Sequence, residues 1–403
     1  MSKIKKIFPF VVLGLMLLAG VSLQFKRPQS IRELASVVMQ RCTNFSYPVT
    51  CYEQEIPKLM DSLSMEEAFE VTKIVQDQDP RLLYCHVLAH KLSFREAEKS
   101  PEAWKDVITR CPTTTCNNGC LHGAMMERFK DEVLNEDQLA ALEPELPNLC
   151  EPRNNWVPVE DERSMCYHGL GHLFMFITGA DIDRSLALCE YVGQKSDGRN
   201  YVQTCSQGVF MILYQPLEPE DFALIAGVAP RDKKTRDELC GRYSGLYWES
   251  CMSESWAMFK DQMLNASDPQ HLINPRTIIE FCAYAKTDLI LQKCIETTLS
   301  MAAVVLVVDH SDVAQYDKLC RALPTKVQGR CYSFGAFRML QIDPRLVHKA
   351  LSICEIARMA GFEEQCLGEM TSQAKKIFHP GTVEQREYCT LLPQSWRERC
   401  VGD

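Results

Sequence analysis

Five of the nine histidines fall into two columns when the chain is aligned on its cysteines. The segments are Cys85-His86-Val-Leu-Ala-His90, Cys120-Leu-His122-Gly-Ala-Met-Met126, Cys166-Tyr-His168-Gly-Leu-Gly-His172 and Cys205-Ser-Gln207-Gly-Val-Phe-Met211. With one residue slipped at the first, the leading column reads His, His, His, Gln, and the column four residues on reads His, Met, His, Met. On a helix, positions i and i+4 share a face, so each segment aims one or two imidazoles in one direction. Neutral imidazole is a ligand for zinc, copper or iron, and a place near a helix N-terminus disfavours the imidazolium form. His86, His90, His122, His168 and His172 are therefore read as ligands of a transition metal, zinc, copper or iron, or of a non-covalent haem.

Met125, Met126 and Met211 would add thioether ligands that favour copper, although methionine on a helical face more commonly packs a core. Glu127, beside this face, is a candidate general base for a metal-bound water. Gly123, Gly169 and Gly208 follow the leading column, and Gly171 precedes His172. Glycine inside a helix costs about 1 kcal/mol relative to alanine, so its recurrence asks for close approach of a backbone or of a bound cofactor. The competing expectation is that the histidines satisfy buried polar groups in a helical core and the glycines serve helix packing.

The elements that would position these residues are set out by twenty cysteines. From Cys150 onward they fall into pairs, Cys150-Cys166, Cys189-Cys205, Cys240-Cys251, Cys282-Cys294, Cys320-Cys331, Cys354-Cys366 and Cys389-Cys400. The period is roughly 34 to 42 residues, with one longer step after Cys189, a spacing found in helical hairpin arrays. The first cysteine of a pair ends an amphipathic stretch such as Arg236-Asp-Glu-Leu-Cys240, and the second opens an apolar one such as Cys331-Tyr-Ser-Phe-Gly-Ala-Phe. A tight turn between two helices brings such residues within disulfide reach. Upstream, Cys111-Cys120 keeps the register and Cys42-Cys51 closes a smaller turn. Cys85 and Cys116 remain; a Cys85-Cys116 link between neighbouring repeats is expected, the alternative being free thiols or ligands.

The predicted fold is thus all-α, a disulfide-stapled αα-hairpin repeat array, open as an α-solenoid or closed as a toroid, behind one N-terminal transmembrane or signal helix. Lys3, Lys5 and Lys6 precede an uncharged apolar run from Ile7 to Leu23, followed by Lys26 and Arg27. This pattern predicts a signal anchor, or a signal peptide if it is cleaved, with the body outside the cytoplasm. The body would then be periplasmic, cell-surface or luminal, and secreted on cleavage; an oxidising compartment also suits the cysteines. No later segment is expected to span, Met301 to Val308 being too short. Four regions follow: residues 1-29, the anchor; 30-84, a helical cap; 85-235, the His-bearing repeats; 236-403, C-terminal repeats in which Ser253, Glu296 and Ser333 replace the histidine column.

Composition bounds the function. With 46% hydrophobic and 24% charged residues the chain has the make-up of a folded protein,. Its net charge of −9, without a basic cluster, argues against nucleic acid as a partner. No nucleophile elbow, phosphate loop, dinucleotide fingerprint, His-Glu-x-x-His motif or Cys-x-x-Cys-His haem attachment is present. The leading expectation is a membrane-tethered metal-binding protein, with a metalloenzyme as one form of it. A scaffold gripping a protein or peptide is the other class, with Tyr243, Tyr247, Trp248 and Trp256 as an aromatic contact patch.

Overall fold

A computed structural model describes residues 30–401, apart from 101, 113–114, 130–131, 154–155, 266–267 and 269–271. The expected anchor, residues 1–29, lies outside the described residues, as does the side chain of Glu127. The described chain is all-helical, with isolated bridges in place of any strand. Local sequence sets several helix starts: Ser30 with Glu33, Ser64 with Glu67 and Asn135 with Gln138 each form a reciprocal capping box, which satisfies two otherwise orphaned backbone donors at once.

Nine helices carry the argument: α1 (His86–Ala97), α2 (Gly119–Phe129), α3 (Glu160–Ile177), α4 (Val202–Tyr214), α5 (Gly245–Glu254), α6 (Asp288–Ala303), α7 (Thr325–Ile342), α8 (Glu363–Ile377) and α9 (Gln394–Val401). Each packs on the next in this series. All twenty cysteines are paired: Cys42–Cys51, Cys85–Cys116, Cys111–Cys120, Cys150–Cys166, Cys189–Cys205, Cys240–Cys251, Cys282–Cys294, Cys320–Cys331, Cys354–Cys366 and Cys389–Cys400. Cys189, on the helix Ile182–Gly193, thus holds Cys205 in the first turn of α4. No thiol at Cys85 or Cys116 is left to act as a ligand.

Contacts also join parts of the chain that are far apart in sequence. Helix α8 touches α3, His379 Nε2 lies 3.2 Å from the Glu162 carboxylate, and Arg345 pairs with Asp77. Two apolar cores form, one from Ala35 to Met252 and the other from Met263 to Cys400. Contrary to the expectation that nothing after the N-terminus is apolar enough to span, the segment Asp288–Asp309 passes by length and composition, with a mean hydropathy of 1.5. The shorter run Met301 to Val308 hid this because α6 begins a dozen residues earlier. Half of that segment is buried within the protein, and α6 packs on α5 and α7, so its apolarity serves the core.

The recurrent glycines make the helix contacts around the histidines. A Cβ on Gly171 of α3 would lie 2.1 Å from the Cys205 carbonyl oxygen of α4, and one on Gly208 the same distance from the His168 carbonyl oxygen. Gly123 of α2 meets the backbone of His90 on α1, at 2.5 Å from its Cα, and Gly169 would strike the His122 ring at 2.7 Å. The close approach at Gly123, Gly171 and Gly208 is therefore to neighbouring backbone and at Gly169 to an imidazole.

Gly171→Ala is expected to destabilise the protein by about 1–3 kcal/mol, because the backbone it strikes cannot rotate away, and in spite of the better helix propensity of alanine. Gly227, with nothing within 4 Å of its would-be Cβ, is the control: Gly227→Ala should shift stability by no more than about 0.5 kcal/mol. Urea midpoints of the two variants check this; a neutral Gly171→Ala would contradict the packing.

Candidate metal centre

His86 opens α1 directly after Cys85, and the Cys85–Cys116 disulfide ties this turn to the segment before α2. There Cys116, Asn117 and Asn118 take left-handed φ values of 53°, 49° and 56°. Each such non-glycine residue costs about 1–2 kcal/mol, so the turn persists only because its surroundings over-determine it. Disulfides on both flanks, at Cys116 and Cys120, and a 2.9 Å bond from Asn118 Nδ2 to Asp161 Oδ2 supply that constraint. The turn aims the Cys116 carbonyl at His86 Nδ1, 3.2 Å away. A carbonyl only accepts, so the proton sits on Nδ1 and the His86 lone pair on Nε2.

One turn on, His90 is buried and its Nδ1 lies 3.3 Å from Glu218 Oε2. The carboxylate accepts from Nδ1, which leaves the His90 lone pair on Nε2 as well. These two Nε2 atoms stand 3.1 Å apart. Two facing lone pairs repel unless a proton or a metal ion lies between them. A metal at the 2.0–2.1 Å usual for imidazole would subtend roughly 100° at this separation, close to the angle of two adjacent ligands. Hydrogen bonds from the remote ring nitrogens to a carbonyl and a carboxylate are the orienting contacts that metal-bound histidines make.

His122, on α2, is buried and offers a third lone pair. Its Nε2 donates to the Met165 carbonyl oxygen at 3.1 Å, whereas its buried Nδ1 has no partner. One ligand atom from each of His86, His90 and His122 lies within 4.8 Å of the others, somewhat wider than the roughly 3.3 Å of a closed tetrahedral set. Coordination would draw the His122 ring inward.

His168 and His172, on α3, stand beside this group. Their rings are 4.9 Å apart and lie 5.7 Å and 5.3 Å from that of His122. His168 Nε2 is 3.2 Å from Met211 Sδ, and His172 Nε2 is buried without a partner. The five imidazoles are contiguous, but the structure gathers His86, His90 and His122 as a set of three and leaves His168 and His172 as an adjoining pair. Met125 and Met126 are buried in the core. A cavity of about 650 Å³ is lined in part by His86, His122, His168, Gln207 and Met211.

Burial pushes His86 down to about 3 and His168 to about 4, and holds His122 and His172 well below the ordinary imidazole value. Desolvation is the first cause in each case, so these four imidazoles are neutral near pH 7. Glu218 carried no signal in the sequence, since it lies 128 positions from His90. Of the aromatic patch, Tyr243 and Tyr247 donate to Asp183 and Glu190, Trp248 packs edge-on against Tyr284, and Trp256 faces the cavity. The chain matches no protein-family model, no curated protein and no solved structure.

The lowered histidine values tie stability to pH. Below the ordinary imidazole value of 6.5 the unfolded chain takes up protons that the folded chain refuses, so this contribution is present above 6.5 and lost as pH falls toward 4. Each imidazole removes about 1.4 kcal/mol per pH unit in that window. Buried acids act oppositely: Asp161, raised to about 6, and Glu254, raised to about 8, lose their contribution as pH rises. Comparison with a double variant cancels the acids. The metal-free protein should lose stability between pH 7 and pH 5 more steeply than His168→Gln/His172→Gln, as read by urea midpoints; equal slopes would mean that these imidazoles are not held neutral.

Proposed function

We propose that this chain is an extracytoplasmic metal-binding protein, tethered or exported through residues 1–29, that holds one transition-metal ion on His86, His90 and His122. The reading is carried by the 3.1 Å separation of two Nε2 lone pairs, each enforced by an acceptor on the far side of its ring. That separation suits neighbouring ligands of one ion better than the axial pair of a haem, whose nitrogens stand roughly 4 Å apart, twice the metal–nitrogen distance. Three imidazoles leave coordination positions for water or substrate, and His86 and His122 line the cavity; this is the arrangement of catalytic rather than closed structural centres. Zinc, copper and iron all accept such ligands, and the neighbouring His168–Met211 pair, with its soft thioether, favours copper among them.

In this reading the stapled helix pairs are successive repeats of a ring, supported by the α3–α8 contact and the Arg345–Asp77 pair that bridge distant parts of the chain. Ten disulfides suit an oxidising compartment. A non-catalytic scaffold would share this architecture but would leave the facing lone pairs without a role.

The test is metal analysis of the full chain, purified without a polyhistidine tag and loaded in turn with zinc, copper and iron. One ion per chain is expected, lost in His86→Ala/His122→Ala, and Glu218→Gln should weaken affinity about 10–100-fold by loosening His90. Retention of no metal, or equal retention by the double variant, would sink the reading.

A further inference from the structure

The same cavity is also lined by Arg338 of α7. Its Nε is buried with no hydrogen-bond partner, and its Nη1 donates to Gln341 Oε1 at 3.3 Å. A guanidinium has five donors and keeps its charge, so a buried one left this poorly matched is costly unless an anion meets it. Among the described residues no carboxylate lies within ion-pair distance of Arg338. Asp161 acts on it only at longer range and gives its bonding oxygen to Asn118.

The other charged groups of the cavity are accounted for. Lys293 Nζ bonds Glu249 at 3.2 Å and Gln203 at 3.0 Å, and Glu296 pairs with Arg330. Burial raises the Glu254 carboxyl to about 8, which leaves it mostly protonated at pH 7,. Arg338 is thus the cation without a bonded counter-charge. Around it the wall is apolar and aromatic, with Phe334, Phe337, Trp256 and Ile342. One unmatched positive charge with a planar fork suits one carboxylate, whereas a phosphate dianion would call for further cations.

We propose that the cavity binds an organic monocarboxylate, its carboxylate seated on Arg338 and its apolar body lying against Phe334, Phe337 and Trp256. The seat does not require the metal. With a metal present, the bound molecule shares a cavity with the open side of the three-histidine centre, which names the class of substrate that such a centre would meet.

Octanoate, with octanol as its neutral counterpart, is the probe, titrated by calorimetry into the full chain both stripped of metal and loaded with zinc. Octanoate should bind in both states, about tenfold or more tighter than octanol, the worth of a charge-assisted hydrogen bond. Arg338→Gln should abolish that preference and Arg338→Lys should keep part of it. Equal affinity for the two probes, or binding of neither, overturns the proposal. So does octanoate binding that needs zinc and survives Arg338→Gln, since that puts the carboxylate on the metal. Should Arg338→Gln fail to fold, octanoate against octanol on the unaltered protein still decides. Quenching of fluorescence that disappears in Trp256→Phe then locates the probe in this cavity, and quenching that persists in that variant counts against it.

Discussion

The position of each of the five clustered histidines depends on where its helix begins, and disulfides hold those beginnings in place. Cys85, Cys120, Cys166 and Cys205 each stand at the start of a helix or within its first two turns, bonded to a residue that precedes that helix in three cases and to the turn before the next helix in the fourth. A cross-link of this kind removes freedom from the unfolded chain and also stops a helix sliding along its neighbour. A slide of one residue would turn the ligating face by about 100°, since a helical turn takes 3.6 residues. Clustering of imidazoles from three helices therefore requires junctions that do not slip.

Fixed junctions alone would not bring the rings together, because ordinary helices pack with their axes 8–10 Å apart. Glycines at 123, 171 and 208 remove the side chains that would hold the backbones at that distance. The cost is borne in helix propensity, about 1 kcal/mol for each, and the return is close backbone contact of α3 with α4 and of α1 with α2, the latter carrying the His86–His122 ring contact. The left-handed turn at residues 116–118 belongs to the same design. It is unfavourable as local backbone, yet it places the carbonyl that orients His86.

A cluster of buried, neutral imidazoles with partnerless nitrogens is a poor way to build an apolar core, since Val or Leu would pack there without orphaned polar atoms. Arg338 is equally ill suited to a purely structural role. His122 and Arg338, which carry two of these unsatisfied atoms, line one cavity from different helices, α2 and α7. Elsewhere charged side chains form paired networks, such as Arg110 with Glu66 and Glu96.

By itself the sequence determined the helical class, the use of cysteines as cross-links and the two-column placement of the histidines, because all three are local. Helical periodicity and His-x3-His spacing act within a few residues of one another, and cysteines near a turn are neighbours in any conformation of that turn. Tertiary structure alone decided that His86, His90 and His122 form the set of three while His168 and His172 stand aside, that Glu218 orients His90 across 128 positions, and that Arg338 shares a cavity with His86, His122 and His168. It also decided that the apolar helix from Asp288 is a core element, a distinction that composition cannot make because lipid and protein interior demand the same residues. Such relations depend on how α1 to α9 pack on one another, and no pattern within a single helix records which residue a distant helix will bring to it.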